Sequence, residues 1–162
     1  MTEYLERTFV ALKPDAIQRG ITGQIIHRLE RAGMRLVAMK MIKADDELLK
    51  EHYSEHVDKD FYEGLKNFMQ EGPVVAMVWE GVNAVPNVRK IVGETAPREA
   101  RPGTIRGDFA HMSFSHADEK GQAVKNLIHA SGEKKEAMEE IALWFDDDEI
   151  KDYTRTDKEH VR

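Results

Sequence analysis

The apolar residues of this chain repeat with two periods, one typical of strands and one of helices. Short apolar runs predict strands at 7–13, 34–44, 73–81 and 108–114. The run at 73–81 is apolar on both alternating faces, which is typical of a strand covered on both sides. The sequence therefore predicts a sheet with a fully buried central strand.

Apolar residues three and four positions apart predict helices between these strands. The predicted helices cover 22–33, 45–56, 61–72, 83–93 and 133–145. Asn83 is a candidate cap for the fourth of them. The stretch 94–107 has two prolines, two glycines and three arginines, so it predicts a long, stiff loop. The stretch 115–125 predicts a polar surface excursion.

The order of these elements indicates the fold class. Strands interleaved with helices predict an α+β fold, specifically a ferredoxin-like α/β sandwich with a four-stranded antiparallel sheet and surrounding helices. At 162 residues, the chain is expected to form a single domain over 1–162. Its last residues, about 154–162, are expected to form an exposed C-terminal tail.

Composition excludes several functional classes. The chain has no cysteine, so it contains no disulfide, no zinc–thiolate site and no thiol nucleophile. A net charge of -6 argues against nucleic acid as the main partner. No signal peptide pattern is present, and no apolar run approaches the ~20 residues that span a bilayer. A soluble, cytoplasmic protein is therefore expected.

Common nucleotide and metal motifs are absent, but several basic residues are well placed. There is no G-x-x-x-x-G-K-[ST], G-x-G-x-x-G or H-E-x-x-H motif. His52 and His56 are four positions apart, which permits a metal site but more often reflects packing or a surface position. Lys13 ends a strand, while Arg89 and Arg106 lie just before and at the far end of the long loop. With a histidine, these three could form an anion pocket.

Five segments, taken together, resemble the conserved segments of the nucleoside diphosphate kinase family. They are "KPDAIQRG", "GPVVAMVWEG", "GET" followed by a proline, "RPGTIRGDF" and "NLIHAS"; "EHY" and "ALWF" match as well. They occur in the family's order, from about residue 7 to about residue 153. The resemblance implies an enzyme, a nucleoside diphosphate kinase. Such an enzyme transfers the γ-phosphate of a nucleoside triphosphate, typically ATP, to a nucleoside diphosphate by a ping-pong mechanism with broad base specificity.

The resemblance also implies the catalytic residues. His129, the histidine of "NLIHAS", is the implied nucleophile and forms a phosphohistidine on its pros nitrogen. Glu140 is implied to orient the imidazole, and Ser131 and Tyr53 to lie near it. Because a neutral imidazole is the attacking form, an ordinary pKa of about 6.5 predicts that activity falls below that pH.

The same resemblance implies which residues hold the nucleotide. Seven residues are assigned, five to the phosphates and ribose and two to the base. The phosphate and ribose residues are Lys13, Arg89, Thr95, Arg106 and Asn126. Phe61 is implied to stack on one face of the base, and Leu65 to line the same slot. Every base has a π-face, so such a slot predicts broad base specificity.

The implied cofactor is Mg²⁺, with no protein residue assigned as its ligand. Magnesium is often held mainly by substrate phosphates. The implied partners are nucleoside tri- and diphosphates and further copies of the chain. The homo-oligomer is expected to be a hexamer, with the 94–107 loop near its threefold contacts. Neither a membrane nor a nucleic acid is expected as a partner.

The chain departs from the family's pattern in two places. Gly132 and Glu133 stand where aspartate and serine are common, which weakens an expected helix cap by about 1 kcal/mol. The stretch 115–125 is longer than in many members and precedes His129, so it could alter subunit contacts or site access. One alternative is therefore a catalytically impaired scaffold of the same fold that binds nucleotides or a protein partner. A nucleic-acid-binding domain is disfavoured by the net charge and by an aromatic content of 7%.

Overall fold

A four-stranded antiparallel sheet forms the centre of the computed structural model, which describes residues 2–162. Its strands are β1 (Leu5–Leu12), β2 (Arg35–Ile42), β3 (Val74–Val82) and β4 (Ile128–Ala130). Their order across the sheet is β2-β3-β1-β4, and every neighbouring pair is antiparallel. With helices on both faces, this is the ferredoxin-like α/β sandwich that the sequence predicts.

Helices connect the strands and cover the sheet. They are α1 (Pro14–Gln18), α2 (Thr22–Arg31), α3 (Asp46–His52), α4 (Tyr62–Met69), α5 (Ala84–Val92), α6 (Ile105–Phe109), α7 (Phe114–Glu119), α8 (Lys134–Trp144) and α9 (Lys158–Val161). Each of the five predicted helices is present, with ends one or more residues shorter. The additional helices have at most six residues, too few for a clear apolar period.

Alternating side chains of the sheet enter two separate cores. On β1, Val10 and Leu12 point into one core, while Phe9 and Ala11 point into the other. Helices α2 and α5 cover the first core, and α3, α4 and α8 cover the second. All of β3 except its last residue is buried, because β3 lies between two strands and both its faces are covered. The prediction of a fully covered strand at 73–81 is therefore confirmed.

The fourth strand lies elsewhere than predicted. Residues 108–114 end α6, continue as irregular chain and begin α7, whereas β4 is formed by Ile128–Ala130. The Thr104 hydroxyl accepts a hydrogen bond from the Gly107 N–H and so caps α6, which directs the chain into a helix. A short apolar run cannot distinguish a buried helix from a strand, and three residues of β4 are too few to show a period.

Other local predictions are also corrected. Asn83 has φ of +47° and makes no side-chain cap; instead, the Asn87 amide donates to the Val82 carbonyl at 2.8 Å. The predicted loop at 94–107 contains a 3-10 turn, Pro97–Glu99, and the start of α6. The predicted excursion at 115–125 contains most of α7. Capping by side chains makes such short helices possible without an apolar stripe.

The C-terminal segment folds back onto the sheet. Most residues after 150 are exposed, but the Lys151 N–H donates to the Val37 carbonyl of β2 at 2.8 Å. The Arg155 guanidinium donates to the Met34 carbonyl at 2.6 Å, and Arg162 reaches a buried carboxylate of β3. This tail is thus exposed yet held in place. No helix of residues 2–162 has the length and apolar character needed to cross a membrane.

Candidate active site

His129 lies in the middle of β4. Its neighbours Ile128 and Ala130 enter the core beneath α2 and α5, so the imidazole points to the face covered by α3 and α8. There its ring centroid lies 5.9 Å from that of Phe9 and 4.7 Å from that of His52. The side chain is 19% exposed. The imidazole is therefore fixed by packing and still accessible.

Glu140 of α8 faces one nitrogen of this imidazole. Oε2 of Glu140 lies 2.7 Å from Nε2 of His129, although the two groups are not aligned as a hydrogen bond. Nε2 is therefore the nitrogen that faces the carboxylate, and it is also the buried one. Oε1 of Glu140 accepts a hydrogen bond from the Ser131 hydroxyl at 2.6 Å, which holds the carboxylate in place. Nδ1 is therefore the nitrogen of His129 that is left to react.

His52 joins this cluster in a way that its spacing from His56 does not predict. Helix α3 ends at His52, so the two histidines do not share a helix face. Nδ1 of His52 accepts a hydrogen bond from Trp144 at 3.1 Å and lies 3.3 Å from Oε2 of Glu140. Its hydrogen-bond partner is thus Trp144 of α8, and the Glu140 carboxylate is a close neighbour of the same nitrogen. His52 lies in "EHY" and Trp144 in "ALWF", but neither segment alone indicates that the two side chains meet.

Burial keeps both imidazoles neutral. The pKa of His129 is lowered to about 3, first by burial and then by the three basic residues of the site. Burial likewise lowers the pKa of His52 to about 3. Burial raises the pKa of Glu140, although His52 and Ser131 act in the opposite direction. The sequence-based expectation that His129 becomes protonated near pH 6.5 is therefore corrected, because burial and cations favour its neutral form.

Lys13 and Asn126 form a buried pair beside His129. Nζ of Lys13, at the end of β1, donates to Oδ1 of Asn126 at 2.7 Å. The Asn126 amide donates in turn to the Thr95 carbonyl at 2.9 Å. Burial, followed by the charge of Arg106, lowers the pKa of Lys13 to about 8. The hydrogen bond preorganises the ammonium, and the Asp15 carboxylate acts against the lowering of its pKa.

Two arginines hold the backbone on either side of His129. Arg106 of α6 donates to the carbonyls of Asn126 and Ile128, as well as to one at the end of α5. Arg89 of α5 donates to the carbonyl of Ala130 at 3.1 Å. Burial and the charge of Arg89 lower the pKa of Arg106 to about 10, so it remains charged at neutral pH. The predicted basic residues therefore do converge on the histidine.

A cavity of about 650 Å³ opens beside His129 and collects most of the predicted nucleotide residues. Those that line it are Lys13, Phe61, Leu65, Thr95 and Asn126, and the predicted catalytic residues Tyr53 and His129 line it as well. Arg89 and Arg106 support its inner end, near His129, while Ser131 and Glu140 lie behind the imidazole. The Tyr53 hydroxyl is buried without a partner, and burial raises its pKa. Phe61 and Leu65 form one side of the outer end, away from the basic residues.

An acidic cavity of about 410 Å³ lies on the other side of His129. Its acidic lining residues are Glu51, Glu55, Glu133, Glu136, Glu139 and Glu140, while Lys135 and three histidines are the basic residues of its described lining. His129 is therefore situated between a basic and an acidic environment. An anionic ligand is attracted to the side of Lys13 and repelled from the other side.

The unusual residues after His129 leave the following helix supported. Glu133, at the start of α8, makes no side-chain cap. The carboxylate of Glu136, one turn later, accepts a hydrogen bond from the Gly132 N–H at 3.0 Å. A carboxylate in the first turn also complements the helix dipole. The expected loss of a cap is thus at least partly offset within the same turn.

The cavity offers few ligands to a magnesium ion. Its carboxylates are Asp60 and Asp118, both exposed, and the inner end presents cationic and neutral side chains. Mg²⁺ prefers oxygen ligands and commonly uses substrate phosphates together with one or two carboxylates. An ion at the inner end would therefore have to be held by the oxygens of a bound anion.

Comparison with known protein families gives the same result as the motifs. The family model "Nucleoside diphosphate kinase" matches residues 6–150. A protein named nucleoside diphosphate kinase B from Canis lupus familiaris is 51% identical over 148 residues, which cover 91% of each chain. A nucleoside diphosphate kinase from Natronomonas pharaonis is 52% identical over 154 residues, 94% of each chain.

Solved structures of similar proteins share the fold. One is a transition state mimic of nucleoside-diphosphate kinase from Borrelia burgdorferi with bound vanadate and ADP. It has a TM-score of 0.95 and 41% identity, and the match covers 99% of this chain and 98% of that one. Another is a halophilic nucleoside diphosphate kinase from Halobacterium salinarum in complex with CDP. Its TM-score is 0.87 at 46% identity, with 97% and 98% of the two chains covered.

Proposed function

The chain belongs to the nucleoside diphosphate kinase family, and from this premise we propose that His129 carries the phosphoryl group between nucleotides. The chain is an enzyme, a nucleoside diphosphate kinase, which moves a γ-phosphate from a nucleoside triphosphate to a nucleoside diphosphate. One observation carries the assignment to His129. A neutral imidazole lies on the wall of a cavity, with a carboxylate at Nε2 and two buried cations, Lys13 and Arg106, near it.

Binding begins with the charge of the nucleotide. Lys13, Arg89 and Arg106 attract the phosphates to the inner end of the cavity and offset the charge that spreads over the transferring group. The hydrogen bonds of these side chains already exist without a ligand, so little reorganisation accompanies the reaction. Thr95 and Asn126 contribute further polar groups to the phosphates and ribose. Lys13 forms an ion pair with the phosphates only while its ammonium is charged.

The transfer occurs in two half-reactions. Nδ1 of neutral His129 attacks the γ-phosphorus, a P–N bond forms, the P–O bond to the β-phosphate breaks, and the nucleoside diphosphate leaves. Glu140 balances the positive charge that develops on the imidazole through Nε2, and Ser131 holds Glu140 in place. Tyr53 lines the same cavity, and its buried hydroxyl has no hydrogen-bond partner in the protein. In the second half-reaction, an oxygen of another nucleoside diphosphate attacks the phosphorus and the P–N bond breaks.

Magnesium enters this proposal with the nucleotide. Bound Mg²⁺ neutralises phosphate charge and orients the phosphate chain. The two carboxylates that line the cavity, Asp60 and Asp118, are exposed, so the phosphates themselves would hold the ion. The base lies at the outer end, against Phe61 and Leu65. Contact with the face of the base rather than its edge supports broad base specificity.

A homo-oligomer, with a hexamer as the expected form, is also part of the proposal. β2 is an edge strand of the sheet and exposes Met39 (55%) and Met41 (60%), an apolar pair that a second copy could cover. We expect Met41→Lys to reduce the molar mass measured by light scattering, because it places a charge in that contact. An unchanged mass would place the contact elsewhere. The cytoplasmic location stays a prediction from the sequence.

Steady-state kinetics test the proposed mechanism. If a phosphoenzyme links two half-reactions, double-reciprocal plots at several acceptor concentrations are parallel. Labelled ADP must also be converted to labelled ATP when ATP and ADP are the only nucleotides present, because the first half-reaction is reversible. Intersecting plots, together with no exchange, would contradict the proposal and indicate direct transfer in a ternary complex. The family membership and the intact cluster favour an active kinase over the impaired scaffold considered from the sequence.

A further inference from the structure

The segment just before β4, residues 113–125, forms one side of the cavity's outer end. Its lining residues are Phe114, Asp118, Gly121, Gln122, Ala123 and Val124. The stretch 115–125, which is expected from its position to influence subunit contacts or site access, thus borders the cavity. Phe61, Gly64 and Leu65 line the same cavity from α4 and the residue before it. A nucleotide with its phosphates at His129 would place its base between these two sides.

Phe114 is the one aromatic residue of this segment. Its side chain is 51% exposed, and that of Phe61 is 56% exposed. Both line the same cavity, from different parts of the chain. A large apolar ring exposed to water is unfavourable, and a flat base covers such a ring by stacking on it. Two aromatic rings on one cavity could thus enclose a base from both faces.

The backbone around Phe114 is well supported. Ser113 caps α7 by accepting a hydrogen bond from the His116 N–H at 3.2 Å. Ala117, one turn further, is fully buried and anchors the helix. The Gln122 N–H donates to the Ala117 carbonyl at 3.0 Å, which closes the turn after α7. Phe114 is therefore exposed on an anchored element rather than on an unsupported loop.

We propose that Phe114 forms the second face of the base slot, so that the nucleotide base stacks between Phe61 and Phe114. This inference rests on the proposed function, because it requires the phosphates to bind at the inner end. It adds a substrate-contacting residue, Phe114, that directly precedes the stretch 115–125, which is longer than in many members of the family. Purines offer a larger π-surface than pyrimidines, so Phe114 contributes more to the affinity for purine nucleotides.

Binding measurements on matched ligands test this role. Dissociation constants are measured by calorimetry for ADP, CDP and pyrophosphate, the last of which has no base, each with Mg²⁺. For Phe114→Ala, we expect roughly 10-fold weaker ADP binding, the lower end of the loss of a base–aromatic stack. The loss for CDP should be smaller, and pyrophosphate binding should not change. Phe114→Tyr keeps the ring and should bind ADP as the wild type does.

Ser115→Ala is the matched control, because Ser115 is the next residue of α7, is exposed and does not line the cavity. It should leave all three constants unchanged. Unchanged ADP binding in Phe114→Ala would overturn the inference, and so would equal losses for ADP and pyrophosphate. If Phe114→Ala does not fold, Phe114→Leu gives the same comparison with an apolar side chain of similar exposure. Failure of the wild type to bind ADP would instead contradict the proposed function.

Discussion

The two ends of the cavity beside His129 are built differently. At the inner end, Lys13, Arg106 and Asn126 are at most 7% exposed and make hydrogen bonds within the protein. At the outer end, Phe61 and Phe114 are more than half exposed. The polar side chains of the inner end are therefore held in place before any ligand binds. The outer end instead exposes aromatic side chains to solvent.

This difference indicates that the inner end serves the transfer step and the outer end serves binding of the base. Polar groups fixed in advance stabilise developing charge without reorganisation, so their removal affects the transfer step. Apolar contacts to a base are the same in the ground state and the transition state, so their removal affects binding. We expect substitutions at the inner end to lower kcat, and substitutions at the outer end to raise KM.

The largest expected effect is that of His129→Asn. Asparagine has a similar size but no nucleophilic ring nitrogen, so the exchange between nucleotides should be abolished. Nucleotide binding and the melting temperature should remain close to those of the wild type, because the cavity walls are unchanged. Exchange near the wild-type rate would exclude His129 from the mechanism.

Arg106→Ala should have the next largest effect. Loss of one preorganised charge-stabilising donor costs about 3 kcal/mol, which is on the order of 100-fold in kcat. Because Arg106 also holds carbonyls of β4, activity must be compared per folded protein, with unfolding monitored by circular dichroism. Arg28→Ala is the control. Arg28 lies in α2 and forms an ion pair with Asp108 of α6, the helix that contains Arg106, but it does not line the cavity. A rise in KM alone would mean that Arg106 binds both states equally.

Phe61→Ala should change the outer end only. Loss of one stacking ring costs about 1–2 kcal/mol in binding, on the order of 10-fold in KM, while kcat stays nearly constant. Initial rates with varied nucleoside diphosphates measure both parameters. A kcat loss as large as that of Arg106→Ala would remove the distinction between the two ends.

Changes in pH should have the smallest effects on activity. The expected effect below neutral pH differs from the one above it. The pKa of His129 is lowered to about 3, so the attacking imidazole stays neutral and single-turnover phosphorylation should change little between pH 8 and pH 5. The pKa of Lys13 is lowered to about 8, so its charge is lost from the free enzyme as the pH rises past that value, and kcat/KM should decline there. A halving of the phosphorylation rate near pH 6.5 would show that His129 titrates as an exposed histidine does.

The inner end could be predicted from the sequence because its residues lie in contiguous motifs. Lys13 in "KPDAIQRG", Arg106 in "RPGTIRGDF" and Asn126 with His129 in "NLIHAS" are recognisable one segment at a time. The first three strands were predictable for a similar reason, since each is long enough to show its apolar pattern.

The remaining features depend on contacts between distant parts of the chain. His52 reaches Glu140 and Trp144 only once α3 and α8 pack together, and no local spacing indicates this. The lowered pKa of His129 depends on burial and on cations from three other elements. β4 and α7 are too short for periodicity, so Phe114 could not be placed at the cavity before the fold was known.

The most direct test of the central claim is a single-turnover labelling experiment. The protein is mixed with γ-labelled ATP and Mg²⁺ without an acceptor, the labelled residue is mapped, and GDP is then added. Our account predicts an acid-labile, base-stable label on His129 that moves to GDP. A folded protein that binds nucleotide but acquires no label, or carries it on another residue, would contradict the assignment of His129 as the phosphate carrier.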